Sequence, residues 1–414
     1  MRIFLIIAHF YPHPSPRAFR WTQIAKQWRK DGHEVIVLSI PNAMKEREIK
    51  IKGITIYNTR RTNFTSINNE IGGGKNFGAG IVIRWMKYLY RSYWGLLIWP
   101  DRYRFWIRPA IVLGKKIIGL ENPDILITVS KPFAAHLIGN ALKKEFPRLK
   151  WGVDVGDPFR IADPSLPKAG WLLRKRQLKE AQTLHAADHI FVTNDGLRSA
   201  YIDYQSAWTE KIHTVGHFST LSPASHITFH RDKTFHLVYL GRFYQAVREP
   251  LDFLNFALDL HSFIQKTGNE IALHFYGPIE PALEESVIRQ VAHKINMYFH
   301  PEIKRMDIAQ ALPNNTILVN IGNRSTVQLP SKISDYLALG LPVLNYHYTS
   351  KDPCLAILDQ HAFQPIWNVH HDRYKVQEWD PFLHEILTFS GAKVSETNQK
   401  DVSRISREYL DIIG

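Results

Sequence analysis

The sequence is poor in cysteine, in acidic residues and in long uncharged apolar runs. Its single cysteine, Cys354, excludes an internal disulfide and fits a reducing compartment. No apolar run approaches the roughly 18 residues that a membrane-spanning helix needs. Residues 1–14 combine a short apolar run with no small-residue cleavage site, which predicts a core strand rather than a signal peptide. We therefore expect a cytoplasmic protein, with peripheral attachment to the inner face of the cytoplasmic membrane as an alternative.

Signatures of metal ligation and of hydrolytic nucleophiles are also missing. The adjacent pair His370-His371 has no partner at H-E-x-x-H or Cys/His zinc spacing. The glycine run at 72–74 lacks the Lys-Ser/Thr pair of a phosphate-binding Walker loop, and no G-x-S-x-G motif occurs. The sequence thus predicts no metal and no cofactor, and it predicts an inert, small hydrophobic role for Cys354.

Positive charge dominates the composition. The 414 residues contain 52 Lys and Arg against 38 Asp and Glu, a formal net charge of +14. Such a balance favours an anionic partner, which can be a nucleotide, a nucleic acid or an acidic membrane surface. The length exceeds one ordinary core and indicates about two domains.

Apolar strand patterns alternate with helical patterns along most of the chain. One helix is predicted around residues 18–28, where apolar residues recur at helical spacing, and Asp31-Gly32 ends it. The predicted strands are Ile3–Ala8, Glu34–Ser39, Ile125–Val129, Trp151–Val155 and His189–Thr193, then Phe235–Leu240, Ile271–Tyr276, Ile317–Ile321 and Val343–Tyr346. Continuous apolar strands separated by helices predict two doubly wound parallel sheets, with a linker around 220–233. Ligands of such sheets bind beyond the carboxyl ends of the strands.

The stretch LPSKISDYLALGLPVLNY (329–346) predicts a short helix followed by a buried strand. Ser331 suits the N-cap, and Gly340 suits the end of the helix. Lys332 is a cation at the positive end of the helix dipole, which indicates a bound anion there. Asp335 lies one turn on, on the same face, where it could hold a sugar hydroxyl. The alternative is a surface ion pair between Lys332 and Asp335.

A second cationic element follows the strand at residues 235–240. Gly241 allows the backbone to approach a ligand closely, and Arg242 and Arg248 suit a diphosphate because guanidinium binds phosphate bidentately. The alternative is that Arg248 merely pairs with Glu249.

Together these motifs resemble the GT-B glycosyltransferases, and specifically the retaining, family 4-like enzymes that use nucleotide sugars. The resemblance implies that Arg242 and Arg248 grip the donor diphosphate and that Asp335 binds the ribose. A branch of the family has P-x-K-x-x-[ED]-Y at this helix, matched by Pro330, Lys332, Asp335 and Tyr336. It also implies an α/β, GT-B fold of two Rossmann-like domains. The acceptor-side domain would span 1–225 and the nucleotide-sugar domain 234–395, with a helix at 396–414 crossing back to the first domain.

The N-terminal half agrees with this resemblance. The segment HFYPHPSPRAFRW resembles the loop and helix after the first strand, which implies donor contacts from Pro14, Ser15 and Arg17; Arg20, on the helix, is a weaker candidate. The segments TVSKPFAAH and VDVGDPF resemble two strand-end loops that line the sugar. The implied sugar or acceptor contacts are Ser130, Lys131, Asp154 and Asp157. The two aspartates also follow a predicted strand directly, although their alternative role is to stabilise a turn.

The sequence departs from the family pattern at the donor sugar. The family often has two glutamates separated by seven residues; Asp335 replaces the second, and Val327 occupies the first position. Sugar contacts would then come from Ser325, Thr326, Gln328 or backbone amides, and Ser130-Lys131 replaces the usual histidine. This departure keeps open a second hypothesis, a non-catalytic subunit that binds a sugar nucleotide or acts as a scaffold.

The segment 81–111 interleaves aromatic and basic residues, a mixture that favours a membrane–water interface. The alternative is a core-facing helix pair with a solvated basic edge. The first hypothesis for function is therefore a retaining, metal-independent hexosyltransferase. Its donor would be a UDP- or GDP-sugar, and its acceptor a bacterial surface glycan, such as capsule or lipopolysaccharide, or a lipid-linked oligosaccharide. A DNA-acting glycosyltransferase is a third, charge-based alternative, although no nucleic-acid-binding module is recognised.

Overall fold

The computed structural model describes residues 1–13, 15–40, 47–59, 99–101, 103–159, 170–231, 233–243, 250–279, 285, 294–360, 364–389 and 401–414. These residues form two compact units. The N-terminal unit comprises 1–193, 198–215 and 402–414, and the C-terminal unit comprises 194–197 and 216–401. The first contains a sheet of eight strands and the second a sheet of six. The predicted α/β class with two parallel sheets is confirmed.

The N-terminal unit alternates strands and helices along the chain. Its described elements are β1 (Arg2–Ile7), α1 (Pro16–Lys30), β2 (Glu34–Ser39), β3 (Glu48–Ile51), β4 (Ile54–Asn58), α2 (Arg104–Glu121), β5 (Ile125–Val129), α3 (Ala134–Glu145), β6 (Lys150–Val155), α4 (Gly170–His185), β7 (His189–Val192), most of α5 (Asp195–Tyr204), β8 (Ile212–Thr214) and α11 (Val402–Ile413). The strand order is β3-β4-β2-β1-β5-β6-β7-β8, and only the β3–β4 pair among these described strands is antiparallel.

Local sequence explains how α1 begins, ends and packs. The Ser15 hydroxyl accepts a hydrogen bond from the third helical amide, and Gly32 follows the helix with φ +87°. The buried face of α1 carries Trp21 and Trp28, which pack against α11. The ring of Trp21 lies 5.1 Å from that of Tyr409, and the indole of Trp28 donates to a backbone carbonyl of α11 at 2.9 Å. The C-terminal helix is thus part of the N-terminal unit's core.

The C-terminal unit repeats the same layered plan. Its described elements are β9 (Phe235–Leu240), α6 (Leu251–Ile264), β10 (Ile271–Tyr276), β11 (Asn296–His300), α7 (Ile308–Ala311), β12 (Thr316–Ile321), α8 (Lys332–Leu339), β13 (Val343–His347), α9 (Pro353–Asp359), β14 (Ile366–His370) and α10 (Trp379–Thr388). The strand order is β11-β10-β9-β12-β13-β14, with parallel pairing throughout these strands. Apolar clusters cover both faces of the sheet, as a parallel sheet requires.

Each sheet has a point at which the strand order reverses. In the N-terminal unit β1 lies between β2 and β5, and in the C-terminal unit β9 lies between β10 and β12. Crossovers leave such a point in opposite directions, so a crevice opens beyond the carboxyl ends of the two strands. The loops after β1 and β5, and those after β9 and β12, are therefore where each unit can bind a ligand.

Part of the basic aromatic segment lies outside the described residues, namely 81–98 and 102. The remainder contributes the start of α2, in which Trp106 and Ala110 are buried while Arg104 and Arg108 are exposed. A buried apolar face and an exposed basic edge agree, for this part, with the alternative of a core-facing helix. None of the described helices combines the length and the apolar character that crossing a bilayer requires.

Candidate active site

Three predicted residues come together at the carboxyl edge of the N-terminal sheet. Arg17, in the first turn of α1, donates from Nη2 to Asp157 Oδ2 at 3.1 Å and from Nη1 to the Lys131 carbonyl at 3.2 Å. The loops after β1, β5 and β6 thereby meet at one guanidinium. The side chains of Arg17 and Asp157 remain 28% and 32% exposed, so the cluster is open to solvent.

Ser15 and Ser130 make structural hydrogen bonds beside this cluster. Ser15 caps α1, and its hydroxyl is 3.2 Å from the amide of Ala18. Ser130 is buried, and both its amide and its hydroxyl donate to the backbone carbonyl of Asp154, at 3.1 and 3.3 Å. Lys131 is exposed, and Pro14 lies outside the described residues. Contacts of these residues with a donor or acceptor remain predictions.

Asp154 lies within β6, which ends at Val155 as predicted, so only Asp157 follows the strand. Its side chain is 4% exposed and accepts a 2.5 Å hydrogen bond from the Tyr409 hydroxyl of α11. The buried guanidinium of Arg20 also bonds to Tyr409, at 3.2 Å. Burial raises the pKa of Asp154, while the charge of Arg20 opposes that rise. This arrangement favours a structural role for Asp154 and leaves Asp157 as the accessible carboxylate.

In the C-terminal unit two glycines bring the ends of β9 and β10 together. Gly241 and Gly277 have φ of +140° and +131°, and a Cβ on Gly277 would lie 2.6 Å from the carbonyl oxygen of Gly241. Only glycine fits both the backbone conformation and this approach. The side chain of Arg242 follows at once and is exposed, whereas Arg248 lies outside the described residues.

Lys332 is the first residue of α8, as predicted, and its ammonium is directed toward the end of β9. Nζ lies 3.7 Å from the centre of the Tyr239 ring, within range of a cation–π interaction. The hydroxyl of Tyr239 donates to the Arg242 carbonyl at 3.1 Å, so this tyrosine contacts both Lys332 and the Gly241-Arg242 turn. Tyr336 fixes α8 in place: its hydroxyl accepts from a β9 amide and donates to a β12 carbonyl, both at 3.0 Å.

Asp335 pairs with Arg305 rather than with Lys332, so the alternative of a Lys332–Asp335 surface ion pair is wrong. Asp335 Oδ1 accepts from the Arg305 guanidinium and from the Ser219 hydroxyl, the latter at 2.7 Å. Burial raises the pKa of Asp335, and both partners oppose the rise. Within the described part of the chain no hydrogen bond reaches Oδ2. That oxygen therefore has lone pairs with which to accept hydroxyl groups.

The loop between β12 and α8 carries the remaining predicted contacts. Val327 is 8% exposed, and its amide lies 3.4 Å from the Ser325 hydroxyl. Thr326 is exposed, and Ser325 and Gln328 are partly exposed. Ser331 occupies the N-cap position of α8, as predicted, but its backbone angles are helical and its side chain makes no capping hydrogen bond. Its exposed hydroxyl and the first amides of α8 can instead face an anion.

One group of possible metal ligands occurs among the described residues. His370, His371 and Asp372 follow β14 with their ligand atoms within 4.8 Å of one another. His370 Nδ1 lies 2.5 Å from the exposed carboxylate of Asp372. A strand-end turn with a histidine–carboxylate pair explains this geometry, and the prediction of a metal-free active site stays a prediction.

The side chains that bond to the predicted carboxylates are not predictable from the motifs. Tyr409, which itself accepts from Arg20, donates to Asp154, and Arg305 and Ser219 donate to Asp335. Only the helical phase of Arg20, which places it on the buried face of α1, signals such a role in advance.

Comparison with known proteins identifies the fold. No protein-family model and no curated protein sequence matches the chain. Among solved structures, it is similar to a UDP-forming trehalose-phosphate synthase from Burkholderia xenovorans, with a TM-score of 0.63, 11% identity, and coverage of 100% of this chain and 98% of that one.

Two further solved structures are similar to the chain over nearly their whole length. A sucrose-phosphate synthase from Thermosynechococcus elongatus has a TM-score of 0.61 at 12% identity, covering 100% of this chain and 94% of that one. WaaG, a glycosyltransferase involved in lipopolysaccharide biosynthesis, has a TM-score of 0.56 at 11% identity, covering 99% of each chain. The chain therefore has, over its full length, the GT-B fold that these three structures share.

Proposed function

We propose that the chain is a retaining, metal-independent glycosyltransferase that uses a UDP- or GDP-sugar. The observation that carries this proposal is the grouping of Arg242, Lys332 and Asp335 beyond the carboxyl ends of β9 and β12. Two cations there suit a diphosphate, and a carboxylate with an oxygen to spare suits the ribose hydroxyls. The GT-B fold supports the same assignment.

Charge stabilisation is the main contribution of these residues to the reaction. When the bond between sugar and phosphate breaks, negative charge grows on the leaving diphosphate, and Arg242, Arg248 and Lys332 would stabilise it. The amide groups at the start of α8 would add hydrogen-bond donors. In the proposed mechanism the acceptor hydroxyl attacks from the face that the diphosphate leaves, and the diphosphate itself assists removal of the proton. No protein base is required.

The acceptor would be a bacterial surface glycan or a lipid-linked oligosaccharide bound on the N-terminal unit. The open cluster of Arg17, Lys131 and Asp157 supports polar contacts with such a molecule. We place the enzyme in the cytoplasm, at the inner face of the membrane. The start of α4 supports this placement, since Trp171 and Leu173 are exposed beside basic side chains.

A non-catalytic subunit that binds sugar nucleotides is the second candidate. It is favoured by Val327, whose buried apolar side chain stands where the family often has a glutamate. The retained cations at Arg242 and Lys332 argue against it, because a scaffold has no need to stabilise a leaving diphosphate.

Transfer assays with a panel of UDP- and GDP-sugars and membrane glycan fractions test the proposal. We expect release of one nucleoside diphosphate that depends on the acceptor and persists in EDTA. Nuclear magnetic resonance of the product should show the anomeric configuration of the donor. An inverted configuration would contradict retention, and nucleotide binding without turnover with any acceptor fraction would favour the non-catalytic subunit.

A further inference from the structure

A cavity of about 150 Å³ lies in the N-terminal unit between α1 and the β3–β4 hairpin. Thr22 and Lys26 enter it from α1, where residues four apart share a face. Lys52 enters from the hairpin turn, whose two residues Lys52 and Gly53 have φ of +50° and +78°. Tyr11 forms one wall, and isoleucine side chains such as Ile54 form the apolar floor.

The hydroxyl of Thr22 is the first sign that this cavity binds a ligand. Thr22 is 5% exposed, and its Oγ1 has no hydrogen-bond partner among the described residues. Buried hydroxyl groups are nearly always hydrogen-bonded, and a helical threonine commonly bonds to the carbonyl of the preceding turn. A group bound in the cavity would supply the missing partner.

The charges at the cavity are the second, independent sign. Burial lowers the pKa of Lys26, and the charge of Lys52 lowers it further, so the two ammonium groups act on each other. The Lys26 ammonium also lies 5.8 Å from the centre of the Tyr11 ring. The described lining contains no carboxylate. Two mutually repelling cations beside a buried hydroxyl suit a compact, multiply charged anion.

We propose that this cavity binds the phosphate group of a small molecule, held by Lys26, Lys52 and the Thr22 hydroxyl. Lysine acts as a point charge toward phosphate, and Tyr11 would pack against the group that carries the phosphate. Drug-sized ligands fill roughly 300 Å³ or more, so a cavity of about 150 Å³ suits a phosphate with part of a ring. All the lining residues belong to the N-terminal unit, whereas the proposed donor residues Arg242, Lys332 and Asp335 belong to the C-terminal unit.

Calorimetric titration of the full chain with phenyl phosphate tests the proposal, with inorganic phosphate, benzoate and phenol as comparisons. The variants are Thr22→Val, Lys26→Met and Lys52→Asn, since asparagine tolerates a positive φ. Lys30→Met is the control, because Lys30 is exposed on the same helix. We expect both phosphates to bind. Affinity should fall at least tenfold in the lysine variants and several-fold in Thr22→Val, and it should not change in Lys30→Met.

Equal affinity in all variants, or no binding of either phosphate, would overturn the proposal. Benzoate binding as tightly as phenyl phosphate would also overturn it, because the site would then recognise any carboxylate. Thr22→Val should fold at least as stably as the wild type, so its loss of binding cannot be attributed to unfolding. Binding of a nucleoside diphosphate by the same variants reports on the proposed donor site separately.

Discussion

Replacing Asp154 with alanine should destabilise the N-terminal unit by about 3–5 kcal/mol, as expected when the positive charge of the buried Arg20 loses a nearby negative charge that compensates it. The carboxylate is 4% exposed, accepts a hydrogen bond from Tyr409 and interacts electrostatically with Arg20. Without it, the buried guanidinium of Arg20 loses a nearby negative charge and α11 loses a hydrogen bond to the sheet. The thermal midpoint should fall by roughly 6–20 °C for a unit of this size.

Two matched variants separate this role from a catalytic one. Tyr409→Phe removes only the hydroxyl that bonds to Asp154 and should cost about 1–3 kcal/mol. Asp157→Ala breaks a partly exposed pair with Arg17 and should cost no more than about 1 kcal/mol. If Asp154→Ala proved as stable as Asp157→Ala while losing transfer activity, the structural assignment would be wrong and a sugar contact would replace it.

Replacing Lys332 with methionine should lower kcat by about 100- to 1,000-fold, the range seen when a donor to developing charge is removed. Methionine preserves most of the apolar volume over Tyr239 and removes only the ammonium. If the lysine instead served only in the cation–π interaction with the ring, the loss would appear in stability and kcat would hardly change. Steady-state rates and thermal midpoints measured on the same preparation distinguish the two.

Lys351→Met is the control for this experiment, because Lys351 is an exposed lysine of the same unit. It should leave kcat within about twofold of wild type, as expected for a surface substitution away from the site. A kcat for Lys332→Met equal to that of the control would remove Lys332 from the proposed mechanism.

Strands with continuous apolar sequence were predictable because a parallel sheet buries both of their faces. The predicted bounds of β2, β5, β9 and β10 agree with the structure to the residue. The apolar pattern does not predict β3, β4, β8, β11 and β14, because these strands are short or mix polar with apolar residues. Their pairing depends on neighbouring strands rather than on local pattern.

The sequence predicts which residues form the candidate site, but not which side chains they bond to. A cation at the start of α8 and a glycine–arginine turn after β9 are local signals, and both lie at the strand-order reversal. Tyr409, which bonds to Asp154, is 255 residues away from it in sequence, and Arg305, which bonds to Asp335, is 30 residues away. Tertiary packing decides which carboxylate already has hydrogen-bond partners within the protein, and local sequence spacing does not reveal it.

Thermal unfolding with UDP, GDP, ADP, CMP and their sugar conjugates, measured on wild type and on Arg242→Ala, tests the central claim most directly. A ligand that binds the native state at 100 times its Kd stabilises it by about 2.7 kcal/mol. We predict that one nucleoside diphosphate raises the midpoint by several degrees in wild type and in an exposed-site control, Arg231→Ala, but not in Arg242→Ala. No shift with any nucleotide, or an equal shift in Arg242→Ala, would contradict the account.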